Sequence, residues 1–236
     1  MAPPITRLRW RKTHRIISTR HPPIDLFEDI ADPANWDAIA SGESKSNARV
    51  AASIGRLELV PPERRVGGAG SSYVMAPFVH ISPRFQGRFH DGSFGAYYAA
   101  NRFETAVAET TFHRARIYAD TDERPGWFSQ FRELVGSVDA RVHDIRGRGE
   151  FEACLAADSY AASQALAREL RAGGSNGVVY PSVRDGEGQC VAAFWPDVVS
   201  IPILGRALAY HYDGERIDLI RDEASKEVWR IGSETP

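Results

Sequence analysis

The chain has 236 residues, of which 43% are hydrophobic and 25% charged, the composition of a globular protein long enough to bury a core. Its formal net charge of -2 argues against a nucleic-acid binder that relies on a broadly basic surface. Its two cysteines, Cys154 and Cys190, show neither a disulfide framework nor a metal-ligand spacing. We therefore expect free buried thiols, as in a reducing cytoplasm.

The first strongly charged stretch is RLRWRKTHR, Arg7 to Arg15. Such a run is typically a solvated face or tail, with a phosphate-binding or partner-binding role as the alternative. We interpret residues 1–12 as a basic N-terminal extension. Charges stand where a signal peptide needs an apolar core, and the apolar runs are far shorter than the roughly 18 residues of a membrane helix, so a cytoplasmic protein is expected.

The segments that follow are predicted to be mainly helical. Residues 21–44 read as two short helices broken at Asp32–Pro33, because the residue before proline is disfavoured in a helix. Residues 47–55 predict a further helix. Residues 60–72 are rich in proline and glycine and predict a loop, whereas residues 73–81 fit a strand or a helix.

The middle of the chain shows clearer patterns. AYYAA, residues 96–100, predicts a short buried strand, and the helical period of residues 102–119 predicts a helix. Residues 132–147 are typical of a strand. Residues 159–174 predict a second helix, with Ser159 as its N-cap.

Several short extended segments follow between residues 176 and 222, so the last third is β-rich and the helices precede it. That order predicts an α+β fold rather than a doubly wound parallel sheet. No repeat, low-complexity linker or clear boundary divides the chain, so we expect a single domain over residues 1–236.

Common catalytic motifs do not occur in the sequence. GGAGSS, residues 67–72, lacks the Lys-Ser/Thr of a P-loop, and GRGEFE, residues 147–152, does not open a dinucleotide-binding unit. Neither H-E-x-x-H, C-x-x-C nor the G-x-S-x-G nucleophile elbow is found. The sequence therefore indicates neither a metal site nor a serine triad.

The stretch GRFHDGSFGAYYAANRFETAVAET, residues 87–110, places a cation next to glycine-rich backbone. A guanidinium there suits a phosphate, which makes Arg88 a candidate phosphate ligand, with an ion pair to Asp91 as the alternative. Tyr97 and Tyr98 must point to opposite faces of their strand, so that one packs in the core and the other can stack on a ligand. Which of them faces the ligand is left open.

Glu109 shares a helix face with Ala106 and Phe112, where a lone carboxylate is costly. His113 at i+4 offers it a partner, so a structural Glu–His pair is one interpretation. The other is a fixed anion that stabilises the oxocarbenium character developing when an N-glycosidic bond breaks. A phosphate clamp, an aromatic platform and this carboxylate together suit NAD that is cleaved at its nicotinamide–ribose bond.

These residues, followed by SNGVVYPSVRDGEGQCVAAF, resemble the RES domain family, which is named for an arginine, a glutamate and a serine. The resemblance assigns these to Arg88, Glu109 and Ser182. Tyr98 follows the arginine by ten positions and the glutamate comes eleven later, as in that family. HRIISTRHPPIDLFE resembles the N-terminal segment of longer members, in which an early arginine, here Arg15, helps to hold the ligand.

The resemblance implies a RES-like domain over about residues 13–220, with a split β-sheet core similar to that of ADP-ribosyltransferase toxins and surrounded by helices. It implies a toxin of a type II toxin–antitoxin pair that consumes NAD as its substrate, by hydrolysis or phosphorolysis, without a metal. The partner would be an Xre-type helix-turn-helix antitoxin that blocks the cleft, in a hetero-oligomer around a toxin homodimer. DNA would be contacted only through the antitoxin, and no membrane would be involved.

Two departures from the family pattern bear on the ligand. Trp-Asn usually follows the glycine-arginine pair, where this chain has Phe89 and His90. An asparagine often follows the serine block, where this chain has Gln189, whose amide offers a similar group. Ser182 is either a turn-capping hydroxyl or a ligand contact, and His113 would complete the polar shell of the site.

Depletion of free NAD is the leading interpretation, with protein ADP-ribosylation as its alternative, because these residues do not encode the acceptor. A non-catalytic module that binds nucleotide or protein is a further alternative. An RNA-cleaving toxin that uses the basic run ranks last, since the sequence shows no acid–base pair for it and no basic overall charge.

Overall fold

The structure is a computed structural model that describes residues 2–19, 33, 36–37, 55–83 and 86–231. Most of the residues from 22 to 55 lie outside these ranges, and with them the helices predicted there. The described residues form one eight-stranded sheet and three α-helices. The predicted α+β fold is confirmed.

The strands are β1 (Ile5–Ser18), β2 (Tyr97–Ala100), β3 (Gly126–Asp144), β4 (Gly177–Pro181), β5 (Gln189–Ala193), β6 (Ile203–Tyr212), β7 (Ile217–Asp222) and β8 (Val228–Arg230). The helices are α1 (Ser72–Val79), α2 (Phe103–Asp120) and α3 (Ala161–Ala172). The ambiguous residues 73–81 are thus mostly helical. No described helix is both long and apolar enough to cross a membrane.

The strand order is β1-β2-β5-β4-β3-β6-β7-β8, and β1 also pairs with β3. β3 is long enough to pair with two different strands along one of its edges. β6 pairs with it between Gly126 and Val135, and β4 pairs with it, in parallel, at His143 and Asp144. Its other edge pairs with β1. The sheet therefore divides at β3 into a ring of β1, β2, β5, β4 and β3 and an outer part of β6 to β8.

Side-chain alternation in β2 separates two hydrophobic clusters on the two faces of the sheet. Tyr97 and Ala99 belong to the cluster under α1, and Tyr97 is only 1% exposed. Ala100 belongs to the cluster under α2 and α3, against which Tyr98 also packs. The prediction that the two tyrosines point to opposite faces is confirmed, and Tyr98 is the one on the α2 side.

The structure corrects the expectation of an N-terminal extension over residues 1–12. Ile5–Ser18 is one continuous strand, and Leu8 is buried while Arg7 and Arg9 on either side of it are exposed. Arginines alternate with apolar residues here, so one face of the strand packs on the core and the other meets solvent. Arg7, Arg9, Arg11 and Lys12 of the basic run are therefore on the outward side of a core strand.

The start of α3 is shifted by one position from the prediction. The residue at the N-cap position is Tyr160, which makes no side-chain capping bond, so the prediction of Ser159 as the N-cap is wrong. Ser159 still accepts a hydrogen bond at its Oγ from the backbone N–H of Ala161, at 3.4 Å. The helix ends before Gly173, and Gly174 takes a positive φ of 76° that favours glycine.

Candidate functional site

Glu109 projects from the middle of α2 toward the loop that joins β4 and β5. Its Oε1 accepts the hydroxyl hydrogen of Ser182 at 2.6 Å, and the Cys190 sulfur lies 3.9 Å from the same oxygen. Its Oε2 is 4.0 Å from Nε2 of His113 and forms no hydrogen bond within the described residues. The side chain is 26% exposed, so a ligand can reach this second oxygen.

Ser182 holds the turn that follows β4. Its Oγ accepts hydrogen bonds from the backbone N–H groups of Arg184 and Asp185, each at 3.1 Å. The hydroxyl therefore caps the turn, as one interpretation predicts, while its single hydrogen goes to Glu109. The turn fixes the hydroxyl, and the hydroxyl fixes one oxygen of the carboxylate.

A second contact, one helical turn earlier, holds the same loop on α2. Thr105 Oγ1 donates to a carboxylate oxygen of Asp185 at 2.5 Å, and Thr105 shares a helix face with Glu109 at i+4. The loop approaches so closely at Gly188 that a Cβ there would lie 2.1 Å from Thr105 Oγ1. Only glycine fits that position without a shift of the loop.

Arg88 occupies a tight turn on the same side of the sheet and is only 8% exposed. Its Nη1 donates to the backbone oxygens of Cys154 at 2.9 Å and Ala156 at 2.8 Å, and its guanidinium carbon is 5.0 Å from the centre of the Tyr160 ring. These acceptors are neutral, and within the described residues no carboxylate pairs with Arg88 and no hydrogen bond uses its Nε or Nη2. Its charge and two donor nitrogens are available to an anion.

The turn that carries Arg88 is held by α3. Gln164 Nε2 lies within hydrogen-bond distance of the backbone oxygens of Gly87 at 3.1 Å and His90 at 3.2 Å. One helical turn later, Arg168 Nη1 donates to Asp91 at 2.7 Å. Asp91 is thus bound to Arg168, and the Arg88–Asp91 pair offered as an alternative is not formed.

Tyr98 supports the arginine turn from the sheet. Its phenol oxygen accepts the backbone N–H of Phe89 at 2.9 Å and lies 2.8 Å from Nδ1 of His90. A Cβ on Gly87 would come within 2.9 Å of that oxygen, so the family's glycine is needed for this close approach. Burial raises the pKa of Tyr98 well above its usual value, so the group stays a neutral phenol.

Arg15 does not join this group. Its Nη1 donates to the backbone oxygen of Tyr98 at 3.0 Å, but its guanidinium carbon lies 4.6 Å from the centre of the Tyr97 ring. Tyr97 marks the sheet face under α1, whereas Glu109 lies on the other face. Burial lowers the pKa of Arg15, and its Nε is buried and finds no hydrogen-bond partner among the described residues.

Gln189 does not face Glu109 either. Its side-chain oxygen accepts a hydrogen bond from Arg146 Nη1 at 2.6 Å. Successive side chains of β5 alternate, so it is the next residue, Cys190, that points at the carboxylate. Burial and the nearby Glu109 raise the pKa of the Cys190 thiol, which keeps it protonated.

The sequence reasoning missed two residues of the site. Tyr180 is 4% exposed and packs its ring 4.7 Å from that of Phe89, and its pKa is raised by burial and then by Cys190 and Glu109. Tyr180 lies on β4 two positions before Ser182, which follows the strand, and this spacing was the available signal. Arg184, whose guanidinium carbon lies 3.4 Å from the centre of the Phe112 ring, comes from the turn, where periodicity gives no signal.

Cations surround the edge of the site near His113. Burial lowers the pKa of His113, Glu109 opposes this, and Arg184, Arg116 and Arg88 lower it further. A neutral imidazole beside a fixed carboxylate and several guanidinium groups forms a site that can hold an anionic ligand and stabilise positive charge next to it. No group of three or more potential metal ligands occurs in the described part of the chain.

The fold and the site together define an α+β domain in which an arginine, a glutamate and a serine meet on one face of the sheet. The chain matches the RES domain over residues 62–213, which is more than half of its length, and the protein belongs to the RES domain family. Arg88, Glu109 and Ser182 all lie within the matched range.

Two similar proteins illustrate how far the likeness extends. The uncharacterized protein y4oC of Sinorhizobium fredii (strain NBRC 101917 / NGR234) is 28% identical over 222 residues, which cover 91% of this chain and 90% of that protein. Among solved structures, the M. tuberculosis MbcT–MbcA toxin–antitoxin complex contains a chain that aligns with a TM-score of 0.44 and 13% identity, over 89% of this chain and 87% of that one.

Proposed function

We propose that this protein cleaves NAD at its nicotinamide–ribose bond and acts as the toxin of a toxin–antitoxin pair. The observation that carries the proposal is the Ser182–Glu109 hydrogen bond of 2.6 Å, which fixes one carboxylate oxygen and leaves the other open to a ligand. Membership of the RES domain family supports the choice of substrate.

In the proposed reaction, the C–N bond between ribose C1' and nicotinamide breaks, and its electron pair leaves with the nicotinamide nitrogen. Positive charge that builds on the ribose is stabilised by the Glu109 carboxylate, whose orientation Ser182 maintains. The unpaired guanidinium nitrogens of Arg88 bind the pyrophosphate. Water or phosphate then bonds to the same ribose carbon, which is numbered C1'' in ADP-ribose, and gives up its proton, which yields ADP-ribose or its 1''-phosphate.

Tyr98 and His113 have supporting roles. Because the Tyr98 hydroxyl is committed to the Arg88 turn, the tyrosine contributes its ring as a surface for the ligand rather than its oxygen. The neutral His113 imidazole borders the open oxygen of Glu109. Arg15 and Gln189 are not assigned a direct ligand contact in this proposal, because they lie away from the Glu109 face.

The test is nicotinamide release from NAD by the purified protein, followed by proton NMR with and without phosphate. Glu109→Gln should lower kcat by about 10²- to 10³-fold, the usual effect of losing one transition-state charge contact. Glu104→Gln, on the exposed side of the same helix, is the matched control and should keep full activity. Mass analysis separates free ADP-ribose and its phosphate from a protein adduct, and an adduct would favour ADP-ribosyl transfer instead.

The toxin role predicts that expression of the wild-type chain in bacteria stops growth and lowers cellular NAD. Glu109→Gln at equal protein level should allow growth. Co-expression of a small helix-turn-helix protein encoded beside this chain should restore NAD and growth. Growth arrest that persists in Glu109→Gln would separate toxicity from NAD cleavage.

A further inference from the structure

The first part of the basic run, from Arg7 to Lys12, forms a solvent-facing surface that the proposed function does not use. Strand β1 contains five Lys and Arg residues and no carboxylate, which leaves 24 of the chain's 29 basic residues against all 31 acidic residues in the remainder. The charge of this strand is therefore opposite in sign to that of the rest of the molecule.

Pairing with β3 adds to this surface. Arg7 lies opposite Arg141, and Arg9 lies opposite Asp139, so these four side chains share the face that points away from the buried Leu8. We call the cations among them, Arg7, Arg9 and Arg141, together with the exposed Arg11 and Lys12 at the irregularity that follows, the cationic ribbon. The side chains of Arg7 and Arg9 are 52% and 73% exposed.

One carboxylate already shows how the ribbon holds an acid. Asp139 Oδ1 lies 2.5 Å from Nε of Arg7 and 3.6 Å from Nε of Arg9, so the two arginines converge on a single group. Arg141, Arg11 and Lys12 form no ion pair within the described residues. The ribbon therefore has several cations without an acidic partner next to two arginines that already bind a carboxylate.

We propose that the cationic ribbon is a docking surface for a short acidic segment of another polypeptide. Alternate residues of an extended strand are spaced about 6.8 Å apart, so acidic side chains at every second position of such a segment match Arg7 and Arg9 along the ribbon. The surface is short, since the four steps from Arg7 to Arg11 span only about 14 Å.

That short span favours a peptide over nucleic acid. A duplex laid on the ribbon would extend well beyond it, over a molecule whose remaining residues carry more acidic than basic groups. An extended acidic segment of about five residues has the same length as the ribbon, so all of its carboxylates can lie next to cations. The ribbon residues themselves include no aromatic side chain for base stacking, and their neighbour Trp10 packs on the core side with Leu8.

The probe for the test is a fluorescein-labelled peptide with glutamate at alternate positions, measured by anisotropy with the full chain. Arg9→Gln/Arg141→Gln removes two cations whose side chains form no hydrogen bond within the part of the chain that the structure describes, and it should not disturb the fold. The matched control Arg124→Gln/Arg148→Gln lowers the net charge equally at exposed positions elsewhere. Thermal unfolding checks that both variants are folded.

The ribbon variant should bind the peptide at least about tenfold more weakly than wild type, the loss expected when charge-assisted hydrogen bonds are removed. The control should match wild type. Equal binding by the two variants, absence of binding by wild type, or tighter ribbon-dependent binding of a DNA duplex would each overturn the proposal. A concentration-dependent dimer that only the ribbon variant loses would assign the surface to a second copy instead.

Discussion

Ser182 donates its hydroxyl hydrogen to Glu109 across 2.6 Å while the same oxygen caps the turn between β4 and β5. Glu109 is therefore positioned by a loop as well as by its own helix. Any change that alters the turn will change the orientation of the carboxylate, even where the altered residue cannot reach a ligand. The loop between β4 and β5 is consequently part of the site.

Replacement of Ser182 by alanine should lower kcat for nicotinamide release by about 10- to 100-fold, since a hydrogen bond to a charged group contributes about 1.5–3 kcal/mol. The variant should unfold at a slightly lower urea concentration, because the turn loses its cap. Ser129→Ala is a matched control, since Ser129 also donates to a glutamate, Glu223, but from the stretch of β3 that pairs with β6. Unchanged activity in Ser182→Ala would remove the serine from the mechanism.

Gly188→Ala should disturb the site by moving the loop between β4 and β5, without contacting the ligand itself. Its new Cβ would clash with Thr105 Oγ1, so the loop must move away from α2, at a cost of about 1–3 kcal/mol in the free energy of unfolding. Activity should fall together with stability because Ser182 moves with the loop. Gly186→Ala in the same loop meets no atom of the described residues within 4 Å and should retain both. Equal behaviour of the two variants would contradict the close-packing argument.

Gln164→Ala should weaken NAD binding without slowing the chemical step. Gln164 holds the backbone of the turn that presents Arg88, and a displaced guanidinium loses contacts made equally in the ground and transition states. We expect KM to rise by about tenfold with kcat nearly unchanged, the effect of losing about 1.4 kcal/mol of uniform binding. The exposed Gln130→Ala is the control. A fall in kcat at constant KM would place Arg88 in the transition state instead.

Much of the fold could be predicted from local patterns. The period of α2 and the short strand β2 follow from residue spacing, and so does the opposition of Tyr97 and Tyr98. The predicted start of α3 differs by one residue from the observed start. Ser159 is a residue type that commonly caps helices, but the N-cap position is taken by Tyr160. Such boundaries depend on backbone geometry that composition does not determine.

The site was only partly predictable, and for a different reason. The motif resemblance placed Arg88, Glu109 and Ser182 in one site, and the structure puts all three on one side of the sheet. The resemblance could not reveal that Arg15 packs against the Tyr97 ring, on the other face of the sheet. The face on which a residue lies depends on strand register and on the irregularity in β1 between Trp10 and Thr13.

The protonation of His113 should depend on Glu109. Burial holds the pKa of His113 below its usual 6.5, nearby arginines lower it further, and Glu109 alone raises it. The native pKa is thus below that of the unfolded chain, so the unfolded state binds the proton more readily and the folded state loses stability as the pH falls below 6.5. Titration of the imidazole by NMR should give a midpoint below 6.5 in wild type and a lower one in Glu109→Gln. A midpoint that stays unchanged or rises in Glu109→Gln would show that the carboxylate does not raise the pKa of His113.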